Sequence, residues 1–187
     1  MRPRRVLLVD DLIMVTDTLG LRLSTVPGLV LVGRYRTADA DLVRDLPSLR
    51  PDITVVDLAQ AGAGAEALVR AMRTAWPAGH LLVLTASEDT ALAVRAARAG
   101  CDAWVHTGST LDYLVRAVNG VCDGSAWWPP HHLGAVLRAL RVDADDRCPD
   151  QDRRWRSLGA AGGRDASPPR GLVDLVNTDD PPPRSAS

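Results

Sequence analysis

The sequence contains no lysine and no phenylalanine, so its 22 basic side chains are all arginine and its aromatic residues are five tryptophans and two tyrosines. The bias resembles a GC-rich coding sequence. It also excludes a nucleotide loop built on a Walker lysine. The three cysteines, Cys101, Cys122 and Cys148, are isolated and odd in number, so no disulfide framework or metal spacing emerges, as expected of a reducing cytosol. Long apolar runs are missing too. After the basic start Met1-Arg2-Pro3-Arg4-Arg5, only Val6 to Val9 precede the first acids, too short for a signal peptide, and no later run would span a bilayer. A net charge of −1 gives no footprint for nucleic acid or an anionic membrane. These absences predict a soluble, cytoplasmic protein without a membrane partner.

Apolar residues make up 46% of the 187, enough to build one globular core with an appendage. The run Val6-Leu7-Leu8-Val9-Asp10-Asp11 reads as a strand buried on both faces that ends in two acids, and Ile53-Thr54-Val55-Val56-Asp57 repeats that logic. Carboxylates at such strand ends stand in the crevice where open α/β sheets place their chemistry. Three acids converging there repel one another unless a cation lies between them, and hard oxygen ligands suit Mg²⁺.

Strand-like runs recur at Val6–Val9, Leu29–Val32, Ile53–Val56, Leu81–Leu84 and Ala103–Val105, separated by segments of helical spacing. Pro27-Gly28, Pro51-Asp52, Pro77-Ala78-Gly79 and Ala99-Gly100 punctuate them. Five βα units in this order predict an α/β fold with a doubly wound, five-stranded parallel sheet. Trp127-Trp128-Pro129-Pro130 then breaks the pattern, and Leu133, Val136, Leu137 and Leu140 predict a short sixth helix from about His131 to Arg141. From Val142 onward acids, arginines, glycines and prolines dominate, and the composition predicts a disordered tail.

Taken together, Val-Leu-Leu-Val-Asp-Asp, the Pro51-Asp52 to Asp57-Leu58 stretch, Leu82-Val83-Leu84-Thr85-Ala86 and Ala99-Gly100-Cys101-Asp102-Ala103-Trp104-Val105 resemble the receiver domain of two-component response regulators, closest to the NarL/LuxR type. The resemblance covers roughly residues 4 to 122. It implies a CheY/flavodoxin-like receiver over 1–122, a linker with a short helix over 123–141 and the tail over 142–187. It further implies that Asp57 accepts a phosphoryl group from a sensor histidine kinase and that Asp10, Asp11, Asp57 and the backbone carbonyl of Ala59 hold Mg²⁺. Thr85 would hydrogen-bond the phosphoryl group, and Trp104 would occupy the position of the aromatic switch. Such a protein is a phospho-acceptor with at most slow self-dephosphorylation, not an enzyme, and it forms homodimers or heterodimers through the receiver.

The chain departs from that family in two places that matter. Thr107 stands where the lysine facing the phosphoryl group belongs, and a hydroxyl carries no charge, so weakened switching is expected. The NarL/LuxR type also continues into a helix-turn-helix domain, and the pattern after Arg141 does not supply one, so DNA binding is not expected of this chain. The tail reads either as a degraded remnant of that domain, through Arg154-Trp155-Arg156-Ser157-Leu158 and Gly171-Leu172-Val173-Asp174, or as a segment without that ancestry. The alternative function is a pseudo-receiver, an interaction module or decoy that never carries phosphate. An aspartate-nucleophile phosphatase is disfavoured, because its second acid would fall at Ala59.

Overall fold

The computed structural model describes residues 2–58 and 62–147. Strands β1 (Arg4–Val9), β2 (Leu29–Tyr35), β3 (Ile53–Val56), β4 (His80–Thr85) and β5 (Ala103–His106) pair in parallel throughout, in the order β2-β1-β3-β4-β5. Between them run α1 (Ile13–Ser24), α2 (Leu42–Leu49), a 3₁₀ turn at Gly62–Gly64, α3 (Ala65–Ala75) and α4 (Thr90–Ala99), followed by α5 (Leu111–Cys122) and α6 (Pro130–Arg147). The chain steps from β1 outward to β2, then returns past β1 to β3. That reversal of direction opens a crevice at the carboxyl ends of β1 and β3.

Alternation along each strand divides the core into two layers. Val6, Leu8, Ile53, Val55, Leu82, Leu84, Ala103 and Val105 face α1 and α5, where Leu23, Leu114, Val118 and Val121 meet them. Leu7, Val9, Val56, Leu81, Val83 and Trp104 face α2, α3 and α4 and pack on Leu42, Leu46, Val69, Met72, Ala93 and Ala96. This two-sided burial is the reason the strands read as unbroken apolar runs rather than as alternating ones.

Several elements run longer than their apolar patterns. β2 continues through Gly33-Arg34-Tyr35 because its backbone still pairs with Leu7, Leu8 and Val9, a register that side-chain polarity does not report. A bulge between Val6 and Leu7 sets Gly33 opposite Leu7, where an added Cβ would lie 2.9 Å from a Leu7 methyl. α6 passes Arg141, where the apolar spacing stops, and ends at Arg147, since neither proline nor glycine interrupts Val142 to Arg147. The chain divides into two units after Arg141, and of the second only Val142–Arg147 are described; the tail motifs lie outside the described residues.

Between α5 and α6 the chain returns to the sheet. Trp127 forms a parallel bridge to Ala103, its N–H donating to the Asp102 carbonyl at 3.2 Å and its carbonyl accepting the Trp104 N–H at 2.7 Å. Leu7 is fully buried in the interior strand β1, whereas Met14 on α1 is 83% exposed. Leu7→Ala should therefore cost about 2–5 kcal/mol of stability and Met14→Ala less than about 0.5 kcal/mol, as read by denaturant unfolding.

Candidate functional site

Asp10 and Asp57 are neighbours because their strands are. The Asp57 N–H continues the sheet by donating to the Val9 carbonyl at 2.9 Å, and the Asp10 N–H does the same toward Tyr35 at 3.0 Å. Both acids line one crevice together with Val9, Thr16, Val55 and Leu84. Asp10 Oδ1 accepts the Leu12 N–H at 2.7 Å, a local turn that starts α1. Thr16, buried beneath it, donates its hydroxyl back to the Leu12 carbonyl at 3.1 Å.

Asp11 turns elsewhere. Its two carboxylate oxygens accept from the Thr37 N–H at 2.8 Å and from the Thr37 hydroxyl at 2.6 Å, which ties the end of β1 to the loop after β2. Among the described residues no three His, Cys, Asp or Glu side chains are gathered closely enough to enclose a metal ion. Ala59 lies outside the described residues. The donor chemistry nevertheless suits a hard divalent cation, with two carboxylates on one crevice and a third on the adjacent residue. Burial pushes the Asp10 carboxyl above its ordinary range, the Leu12 N–H opposes that shift, and the charge of Asp11 adds to it. An acid in that position is one that a cation would relieve.

Thr85 ends β4 fully buried, and its Oγ1 accepts the Ser87 N–H at 3.2 Å. Its carbonyl accepts the N–H of Thr107 at 3.0 Å, so the exposed Thr107 sits directly beyond β5 beside Thr85. Next to it, His106 holds the loop between β4 and α4. Gly108 N–H donates to Nδ1 at 2.9 Å, which leaves Nε2–H to donate to the Ala86 carbonyl at 3.2 Å. Trp104 points away from the acids into the layer beneath α3 and α4, with 1% of its surface exposed. Thus Asp10, Asp57, Thr85 and Thr107 share one end of the sheet, Asp11 is drawn aside, and Trp104 reports to the opposite side of β5. Sequence reasoning gave no role to Thr37 or His106, because neither carries a local pattern; each acts through a partner about 20 or more residues away.

No protein-family profile matches the chain. Among curated proteins it is 26% identical over 126 residues to the response regulator GacA of Pseudomonas aeruginosa, covering 67% of this chain and 58% of that protein. Among solved structures it superposes on a two-component response regulator of the LuxR family from Aurantimonas sp. SI85-9A1, with TM-score 0.63 and 28% identity, over 75% of this chain and 99% of the other. In sequence and fold the chain is thus similar to response-regulator receiver domains, one of them of the LuxR family. The receiver domain of NarL from Mycobacterium tuberculosis, at 22% identity and TM-score 0.60 over 66% of this chain and 99% of that one, shares the fold. A Myxococcus xanthus protein-glutamate methylesterase is 33% identical over 110 residues, which cover 58% of this chain and 31% of that enzyme. The chain spans little more than half the length of GacA, so the comparison concerns the receiver.

The raised Asp10 gives the receiver a testable cost. A carboxyl whose folded pKa lies above its unfolded value destabilises the fold as pH rises through the ordinary carboxylate range, and the full penalty is present above the folded value. Asp10→Asn keeps an acceptor for Leu12 and removes the charge. Its melting temperature should exceed that of the wild type at pH 7 without divalent cations, and the gain should vanish once the pH falls below about 3.8. A thermal melt series across pH measures both.

Proposed function

We propose that the chain is a response regulator of a two-component phosphorelay whose receiver accepts a phosphoryl group on Asp57 from a sensor histidine kinase. The observation that supports this reading is the backbone bond from Asp57 to Val9 at the end of β3, together with Asp10 and Asp57 lining one crevice. An Asp57 oxygen attacks phosphorus, the P–N bond to the kinase imidazole breaks, and the imidazole leaves as the neutral ring after taking up a proton. Asp10 and Asp57 would hold Mg²⁺, joined by the Ala59 carbonyl and by Asp11 once its carboxylate exchanges Thr37 for the cation. When bound, the ion offsets the negative charge that collects on the transferring group.

Thr85 then turns its hydroxyl from Ser87 toward a phosphoryl oxygen and draws the β4–α4 loop with it. Thr107 offers no ammonium, so the product is held by neutral hydrogen bonds and the metal alone, and the shift toward the active state is correspondingly weak. The chain is a phospho-acceptor and not a turnover catalyst, it acts in the cytoplasm, and its ancestral output is transcriptional; we assign it no DNA reader. Pairing with a second receiver is supported by the exposed Ile13, Met14 and Leu21 on α1. Among the described residues no helix is long and apolar enough to cross a membrane.

Incubation with a small acyl-phosphate donor should add the mass of one phosphoryl group to the intact chain. Labelling should require Mg²⁺ and should disappear in Asp57→Asn. A folded wild-type chain that takes no label under these conditions would overturn the reading.

A further inference from the structure

We propose that helix α6 is a latch, docked in cis on Trp104 and on the first residue of α4, and that loading Asp57 releases it. This regulation rests on the phospho-acceptor reading above. The dock is built from the segment that follows α5. Trp128 stacks on Trp104 with ring centroids 6.3 Å apart, and His132 meets the same ring edge-on at 5.4 Å. His132 Nδ1 and the Thr90 hydroxyl are hydrogen-bonded at 3.1 Å, across 42 residues of sequence. Val136, one turn further on, is 2% exposed. The residue at the aromatic-switch position is therefore covered by the chain's own next helix.

Two features mark this seat as poised rather than permanent. His132 is 1% exposed, yet its Nε2 has no hydrogen-bond partner, so docking leaves one polar atom desolvated that water would satisfy after release. Alongside α6 an open cleft of about 260 Å³ is lined by Trp128, Val136 and Leu140 and by Ala97, Cys101 and Val121, so that flank of the helix is not closed over. Burial, and after it the neighbouring His131, also hold the His132 imidazole below its ordinary range, against the pull of Glu88 and Asp89. A proton on the ring therefore works against docking.

The route from Asp57 to this seat is short and covalent for most of its length. Thr85 leads through Ala86, Ser87, Glu88 and Asp89 to Thr90. Successive turns bind the segment: Thr85 Oγ1 accepts from Ser87 at 3.2 Å, Ser87 Oγ accepts from Asp89 at 3.1 Å, and Asp89 Oδ1 accepts from Ala91 at 2.8 Å. When Thr85 leaves Ser87 for a phosphoryl oxygen, the first of these bonds breaks and the loop carries Thr90 with it. His132 then loses its partner, and Trp104 becomes free to change rotamer beneath a lifted Trp128.

Hydrogen exchange of the full chain by mass spectrometry tests the latch. Thr90→Val, which keeps the side-chain shape and removes the hydroxyl, and His132→Ala should each lower amide protection over residues 130–141 at least tenfold without phosphodonor. Protection of β1, β3 and β4 should not change, which reports that the receiver is folded. In the wild type, acyl phosphate with Mg²⁺ should produce the same loss over 130–141, and Asp57→Asn should abolish that response while leaving the effect of Thr90→Val intact. Unchanged α6 protection in both Thr90→Val and His132→Ala overturns the dock. A chain labelled on Asp57 by intact mass whose α6 protection does not move overturns the latch and leaves the receiver reading standing. A chain that takes no label defeats the receiver reading itself, and release by phosphate with it.

Discussion

Burial of the sheet on both faces is the constraint from which the rest follows. With α2, α3 and α4 on one side and α1 and α5 on the other, β1, β3, β4 and β5 are covered on both faces, and polar chemistry is forced to the strand ends. Because every strand is parallel, all carboxyl ends meet at one edge. Topology alone therefore brings Asp10, Asp57, Thr85 and Thr107 together from positions spread over nearly a hundred residues. Acids at the opposite edge have a different task. Asp52 accepts the Arg5 N–H at 2.7 Å and pairs with Arg2, and Asp102 joins Arg73 at 2.7 Å and the Leu81 N–H at 2.9 Å. The same residue type is a structural tie at one end of the sheet and lines an open crevice at the other.

What could be read from the sequence was what is local. Each apolar run found its strand, and the order Asp10-Asp11, Asp57, Thr85, Trp104 was enough to anticipate the receiver, because order along a βα chain fixes order along a sheet edge. Strand ends were less legible: Gly33-Arg34-Tyr35 pair by backbone, and nothing in their polarity says so. Contacts between distant loops were not legible at all. Thr37 meets Asp11 only because β2 lies beside β1, and His132 meets Thr90 only because the chain doubles back along β5.

The missing lysine and the captured Asp11 bear on the same question, how charge is balanced at the acid cluster. Without an ammonium near Thr85, the load on neutral hydrogen bonds increases, and these bonds are concentrated in the β4–α4 loop. That loop is pinned at Ala86 by His106 and at Thr90 by His132. In the proposed switch, movement of this loop would act on both pins at once.

The bridge between Trp127 and Ala103 has a consequence for where this molecule ends as a physical object. β5 is the last strand of the sheet, and an open edge strand offers unpaired backbone groups to any passing chain. Here the Trp104 N–H and the Asp102 carbonyl are both taken up by Trp127, and Trp128 roofs the indole beneath. A fragment cut after α5 would strip that hem from the sheet and leave a raw seam beside a bare tryptophan. The sheet's border is thus closed by a segment beyond the five βα units, the Trp127 strand residue that lies along β5.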